Sequence, residues 1–227
     1  MHHLAHKLNA AFTSHGNTQK SVAMAAYMKN HFKFFGLQKN ERSSLQKNFL
    51  LDCKQLEIEA VHTIVRQLWQ MPERELQYTA MELLYGAKKK WNDSSLLLFE
   101  ELVTTKSWWD SVDFIAARMI GGYCSKEHQR FHQLFINYAN SENLWLQRTA
   151  IIHQLFYKEN TDTILFETIF NCTKNNKDFF IQKAIGWALR QYAKTNPEFV
   201  KRFVEAHAVT GLAKREALKN IEKQTAK

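Results

Sequence analysis

The chain has 227 residues, and its 31 lysines and arginines against 22 aspartates and glutamates give a formal net charge of +9. Such a charge favours nucleic acid over an acidic membrane surface as the partner, because basic side chains that neutralise phosphates release the counterions bound to them. The alternative is that the charge serves only to keep the protein solvated. Two prolines and seven glycines are too few for a many-stranded sheet protein, and no apolar stretch approaches the roughly 20 residues that span a bilayer.

Apolar residues recur at three- and four-residue spacing through almost the whole chain, as in Leu56, Ala60, Ile64 and Leu68. This spacing predicts an all-α fold. The predicted helices, in chain order, span 3–14, 18–31, 40–52, 55–70, 73–89, 94–105, 108–121, 126–139, 143–156, 161–173, 177–195, 198–207 and 212–224.

The connections between the predicted helices carry turn-forming residues, among them Gly121-Gly122, which we interpret as a break. Pro72 and Pro197 are predicted at first helical positions, where the fixed φ of proline is already helical. No low-complexity linker divides the chain, so we expect a single domain over residues 1–227.

Four predicted helices share a repeat. LQYTA at 76–80 and LQRTA at 146–150 differ at one position and lie 70 residues apart. Half that interval lands on SVDFI at 111–115, and a further 35 residues beyond the second segment lands on IQKAI at 181–185. A 35-residue period with two short helices per unit predicts an α-solenoid, a superhelix in which each helix pair buries its apolar side against its neighbours.

Tyr78, Asp113, Arg148 and Lys183 occupy one equivalent position of this repeat, and all four are polar or charged. Because an apolar position would be core, we expect this one to line the concave face of the solenoid.

Two tryptophans flank the repeat position. Trp109 lies one turn before Asp113, and Trp187 lies one turn after Lys183. Basic groups for phosphates, indoles for stacking or cation–π contact and one acid form a coherent binding set. The structural alternatives are that both tryptophans are core residues and that Arg148 only pairs with Asp113.

Several segments closely resemble the DNA alkylation repair glycosylases built from HEAT-like repeats, the AlkD family. The matching segments are WWDSVDF at 108–114, LWLQRTAI at 144–151, FIQKAIGWALR at 180–190, KREALK at 214–219 and AAYMKNHF at 25–32. The resemblance implies an alkylpurine DNA glycosylase of base excision repair, which removes positively charged N-alkylated purines such as 3-methyladenine and 7-methylguanine from DNA.

The resemblance also implies roles for individual residues. Asp113 would be the catalytic carboxylate, flanked by Trp109 and Trp187, and Arg148 would hold the phosphate backbone. Tyr27 matches a further aromatic of the family's DNA-binding cleft. We count two cations of the FIQKAIGWALR segment, Lys183 and Arg190, with the DNA-binding residues.

The chemistry of the lesion supports this interpretation independently. A purine alkylated on a ring nitrogen is positively charged and already a good leaving group, so it needs no general acid. A carboxylate can stabilise the positive charge that develops on the deoxyribose and can position or deprotonate the attacking water. Indole faces attract the cationic base by about 0.5–2 kcal/mol each.

No cofactor is expected. Cys53, Cys124 and Cys172 are widely spaced and match no ligand pattern, and the 10 histidines form no HExxH or Cys-paired set. Reduced thiols and the absence of an export signal in MHHLAHKLNAAF favour a cytoplasmic protein. No GxxxxGK[ST] or GxGxxG loop supports a nucleotide-dependent enzyme.

The expected partner is double-stranded DNA containing alkylated bases, with neither a membrane nor an obligate protein partner. The main alternative is a non-catalytic helical-repeat protein that binds branched, bent or damaged DNA, which would not need Asp113. A protein–protein scaffold would need neither the charge nor aromatics interleaved with basic residues.

Overall fold

The computed structural model of the chain describes residues 3–225, with side-chain environments through residue 221. The chain divides into two compact units, Met1–Leu98 and Phe99–Lys227, each of which is described by itself. Among the described residues the fold is all-α: no strand forms, and the β-pairing consists of an isolated bridge between Lys33 and Glu73. The expectation of a single domain stays a prediction.

The first unit is built from α1 to α5 and the start of α6. Their bounds are α1 His3–Ser14, α2 Thr18–Tyr27, α3 Lys39–Cys53, α4 Ile58–Gln70, α5 Arg74–Gly86 and α6 Asp93–Thr104. Helix α4 packs along α5, while α1 contacts α3 and α4. The helices pack in this way because apolar residues at three- and four-residue spacing form one face of each helix. On α5, Leu76, Ala80 and Leu84 of this face are all fully buried.

The loop between α2 and α3 is tied to α5 by one buried carboxylate. Glu75 accepts hydrogen bonds from the backbone N–H groups of Phe35, Gly36 and Leu37, at 2.9–3.1 Å. Gly36 has a φ of +88°, and a Cβ there would lie 2.1 Å from the carbonyl oxygen of Asn17. The loop therefore depends on glycine at this position.

The second unit contains the end of α6 and a longer series of helices. They are α7 Trp109–Phe114, a π-helix Ile115–Ile120, α8 Gly121–Cys124, a 3₁₀-helix Ser125–Phe131, α9 His132–Ala139, α10 Leu144–Ile152, α11 Thr163–Thr173, α12 Phe179–Tyr192, α13 Pro197–Ala206 and α14 Gly211–Thr225. Helix α10 packs against α9, α11 and α12, and α12 packs against α13 and, most extensively, α14.

Side-chain caps fix where four helices of this unit begin. In each case a side-chain oxygen of the residue before the helix accepts a backbone N–H of the first turn. The capping residues are Asn143 for α10, Asp162 for α11, Asp178 for α12 and Asn196 for α13. Pro197 occupies the first turn of α13, as predicted. The placement of Pro72 was wrong, because α5 begins at Arg74 with Glu73 as its N-cap.

The predicted helix 108–121 and its terminating Gly-Gly break differ from the structure. The helix widens to π geometry at Ile115–Ile120 and continues through both glycines as α8. A Cβ on Gly121 would lie 2.0 Å from the carbonyl oxygen of His153. Gly121 is thus required by close backbone packing rather than by a turn. The predicted helix 18–31 ends earlier, at Tyr27, because Lys29 and Asn30 have positive φ.

The repeat predicted from the 35-residue period is reflected in the helices. Its equivalent positions fall on α5, α7, α10 and α12, as expected for an all-α helical-repeat fold. Among the described residues, no helix combines the length and apolarity needed to cross a bilayer.

Candidate functional site

The candidate site lies in the second unit and begins with an aromatic cluster around Trp108. Trp108 precedes α7 in extended conformation (φ −157°, ψ 159°). Its ring packs edge-on against Trp145 and Phe180, with centroids 5.7 and 5.2 Å away. Since these partners lie at the starts of α10 and α12, the cluster fixes the N-terminal ends of three helices together.

Asp113 and Arg148 form a bidentate ion pair between α7 and α10. Arg148 Nε donates to Asp113 Oδ1 at 2.6 Å, and Nη2 donates to Oδ2 at 2.8 Å. The remaining guanidinium nitrogen, Nη1, donates to the carbonyl oxygen of Phe180 at 2.6 Å. One side chain thus connects α7, α10 and α12.

Burial and pairing act in opposite directions on this carboxylate. The side chains of Arg148 and Asp113 are 6% and 19% exposed. Removal from water raises the pKa of Asp113, and the hydrogen bonds and charge of Arg148 oppose that rise. Arg148 is therefore the group that favours the ionised form of Asp113.

Five of the residues singled out in the sequence line one cleft of about 250 Å³ beside this pair. They are Trp109, Arg148, Lys183, Trp187 and Arg190. Asp113 is joined to this set through Arg148. The structure thus brings together both tryptophans, the acid and the three cations that the repeat and the motifs predicted.

Three further residues of the cleft were missed in the sequence: Phe179, Phe180 and Glu216. Phe179 is 57% exposed, which leaves an apolar ring at the edge of the cleft. Phe180 opens the FIQKAIGWALR segment, and Glu216 lies inside KREALK. Membership of these two segments was the only feature of the sequence that could have identified Phe180 and Glu216 as cleft residues.

Glu216 of α14 pairs with both cations of α12. Lys183 Nζ lies 2.7 Å from Glu216 Oε1, and Arg190 donates a hydrogen bond to Oε2. The hydrogen bond from Lys183 contributes most to lowering the pKa of Glu216 below its ordinary value. The positive charge that the sequence assigned to this face is therefore partly neutralised.

Gly186 allows α14 to approach α12 closely. A Cβ on Gly186 would lie 2.5 Å from Glu216 Cβ and 2.7 Å from the carbonyl oxygen of Ala213. Trp187 follows directly and is partly exposed. The glycine thus positions both the indole and the carboxylate of Glu216.

Tyr27 and Tyr78 lie in the first unit, where both line a shallow groove of about 270 Å³ with Lys20 and Phe34. Tyr27 is 71% exposed. The Tyr78 ring is covered by the guanidinium of Arg42, 5.0 Å from its centroid. An exposed aromatic ring near a lysine is a suitable contact for a nucleic acid strand.

Comparisons with known proteins identify the family of the chain. None of the curated proteins matches the chain. A solved structure described as a predicted DNA alkylation repair enzyme from Enterococcus faecalis is 33% identical. The similarity covers 90% of this chain and 95% of that one, with a TM-score of 0.84. The model of the family described as DNA alkylation repair enzyme matches residues 8–221. The chain therefore belongs to the DNA alkylation repair enzyme family, which indicates a role in the enzymatic repair of alkylated DNA.

Proposed function

We propose that the protein is a DNA glycosylase of base excision repair that removes positively charged N-alkylated purines, such as 3-methyladenine and 7-methylguanine, from double-stranded DNA. The observation that carries the proposal is the cleft lined by Trp109 and Trp187, at which Arg148 holds the Asp113 carboxylate by two hydrogen bonds. Its scaffold is a stack of HEAT-like helical repeats.

The proposed reaction uses electrostatics rather than acid catalysis. The cationic base leaves with the electrons of the glycosidic bond, and positive charge develops on the deoxyribose. Asp113 stabilises that charge and positions or deprotonates the water that adds to the sugar. Trp109 and Trp187 attract the charged lesion through their π faces. An unmodified, neutral base does not gain this attraction.

Arg148 has two proposed roles with different requirements. As a positioning residue it orients the buried Asp113 carboxylate and opposes the rise in its pKa that burial causes. Its Nε, Nη1 and Nη2 each donate one hydrogen bond within the protein, so a direct contact with phosphate has to use the second N–H of Nη1 or Nη2, on a side chain that is 6% exposed. Lys183, whose side chain is 38% exposed, reaches a phosphate more readily.

A second candidate is a non-catalytic helical-repeat protein that recognises damaged or branched DNA. It is favoured by the same ion pair, because both oxygens of Asp113 already accept hydrogen bonds from Arg148. In this case Asp113 has a structural role, and the cleft only binds the strand.

The test incubates the protein with duplex DNA methylated at purine nitrogens and measures released bases by mass spectrometry. The glycosylase proposal predicts free 3-methyladenine or 7-methylguanine and matching abasic sites in the DNA. Unmodified duplex DNA is the control. Tight binding to methylated DNA without base release would support the second candidate instead.

A further inference from the structure

A cluster of two histidines and one aspartate lies in the second unit, and none of its members lines the cleft. His128 and His132 are one turn apart, at the 3₁₀-helix Ser125–Phe131 and the start of α9, and Asp162 caps α11. One ligand atom from each falls within 4.8 Å of the others. We propose that this cluster is a binding site for a divalent transition-metal ion of the Zn²⁺ class.

The spacing of the three atoms matches a tetrahedral ion. Asp162 Oδ2 is 3.0 Å from His132 Nε2 and 3.8 Å from His128 Nδ1, and the two nitrogens are 3.3 Å apart. Ligands 2.0–2.1 Å from a tetrahedral centre are separated by about 3.3 Å. The three atoms thus need to move by only a few tenths of an ångström around a shared ion.

A hydrogen-bond chain presents the lone pair of His128 to the ion. His153 is fully buried, which favours its neutral form. Its Nδ1 lies 2.7 Å from the carbonyl oxygen of Ala150 and therefore carries the proton. His153 Nε2 then accepts from His128 Nε2, at 3.4 Å. The unprotonated atom of His128 is consequently Nδ1, which faces Asp162 and His132.

Asp162 is held just as firmly. Its Oδ1 accepts the backbone N–H of Leu165 at 2.9 Å, which leaves Oδ2 directed at the histidines. Gln154 accepts from its backbone N–H at 2.7 Å and donates to its carbonyl oxygen at 3.2 Å. Such outer partners orient ligands in metal sites and strengthen binding.

The donor set indicates the class of ion. Two imidazoles and one carboxylate suit Zn²⁺ and its neighbours rather than Mg²⁺ or Ca²⁺, which prefer oxygen ligands. The side chains of His128, His132 and Asp162 are 15%, 35% and 25% exposed, so an ion can enter and water can complete its coordination. Binding would connect α11 both to the 3₁₀-helix that holds His128 and to the start of α9 at His132.

The sequence pattern did not reveal this cluster, because it contains neither HExxH nor a paired cysteine. Two ligands are one turn apart at 128 and 132, and the third follows 30 residues after His132. The link between them depends on the packing of α9 against α11.

The experiment measures Zn²⁺ and Co²⁺ binding by calorimetry and visible absorption, with full-length protein lacking an affinity tag. The N-terminal sequence MHHLAH carries three histidines, so all proteins carry Gln in place of His2, His3 and His6. We expect one equivalent of bound ion. With free Zn²⁺ 100-fold above Kd, Tm should rise by about 5–10 °C.

Two variants and one matched control assign the site. Asp162→Asn keeps an oxygen for the helix cap while removing the charge, and His132→Gln removes one imidazole. Each should weaken ion binding by more than the 10- to 100-fold that is typical when a hydrogen-bond partner of a metal ligand is replaced. His207→Gln is the control, because His207 also pairs with a single carboxylate, Glu167, at 3.2 Å. It should leave binding unchanged.

Less than one equivalent of bound ion, or unchanged affinity in both variants, would overturn the proposal. Imidazole ¹⁵N resonances of the parent protein make the test independent of how the variants fold. Those of His128 and His132 should shift with Zn²⁺ while those of His207 do not. Resonances that stay fixed would show that the cluster is held by hydrogen bonds alone.

Discussion

Replacing Arg148 by Met tests how much the buried ion pair contributes to the second unit. Methionine retains the apolar length of the arginine stem, and it removes the guanidinium that joins α7, α10 and α12. The change leaves the carboxylate of Asp113 in a site where its side chain is 19% exposed. It also leaves the carbonyl oxygen of Phe180 without this donor.

The expected loss follows from these two effects. Removing one partner of a buried ion pair costs about 3–5 kcal/mol. Partial exposure of Asp113 admits some water and favours the lower end, about 3 kcal/mol. At about 2–4 °C per kcal/mol, Arg148→Met should lower Tm by about 6–12 °C.

A second substitution distinguishes the charge from the packing. In the double variant Arg148→Met/Asp113→Asn no unpaired charge is buried, so the double variant should be more stable than Arg148→Met alone by about 1–2 kcal/mol. Chemical unfolding followed by tryptophan fluorescence measures both differences. A single variant as stable as the parent, or a double variant whose loss equals the sum of the two singles, would refute the reasoning.

Three other predictions concern the helix contact, the acid response and DNA binding. Gly186→Ala should destabilise the protein by about 1–3 kcal/mol because its Cβ would meet α14, whereas Gly122→Ala, with nothing within 4 Å, should be neutral or stabilising. The pKa of Glu216 is lower in the folded protein than in the unfolded chain, so its ionised form stabilises the fold at pH values above the unfolded pKa. This stabilisation is lost as pH falls through the folded pKa. Glu216→Gln should therefore lose less Tm than the parent protein below about pH 4.5. DNA affinity should fall steeply with salt in a filter-binding assay, and Lys183→Ala should reduce that slope by about one; equal slopes would contradict a phosphate contact.

The helices and five of the cleft residues were predictable, because apolar periodicity, the 35-residue repeat and the segments that resemble the family can all be seen in the sequence. Apolar spacing placed the helices, and the 35-residue period put Asp113, Arg148 and Lys183 on equivalent positions of α7, α10 and α12. Backbone packing was not predictable in the same way. Gly121 was interpreted as a break, although its missing Cβ serves contact with the His153 carbonyl of a distant segment.

The charge of the cleft also differs from the expected one, because its cations pair with residues that are distant in the sequence. Lys183 and Arg190 suggested an open cationic face, but Glu216 lies 33 and 26 residues further along the chain and pairs with both. Arg148 was assigned to phosphate, and the alternative that it pairs with Asp113 describes its contacts in the structure. No local pattern reports such partners, because they depend on how α12 packs against α14 and α10.

The catalytic assignment of Asp113 is tested most directly by Asp113→Asn, which preserves size and removes the charge. The readout is release of 7-methylguanine from methylated duplex DNA, with DNA binding and Tm measured on the same preparation. Asp110→Asn is the matched control, because it removes the same charge three residues earlier on α7, on a neighbouring part of the helix surface, and leaves the Asp113 carboxylate in place. The account predicts a folded Asp113→Asn protein that binds DNA and loses most base release, beside a nearly fully active Asp110→Asn protein. Full activity in folded Asp113→Asn would contradict the central claim.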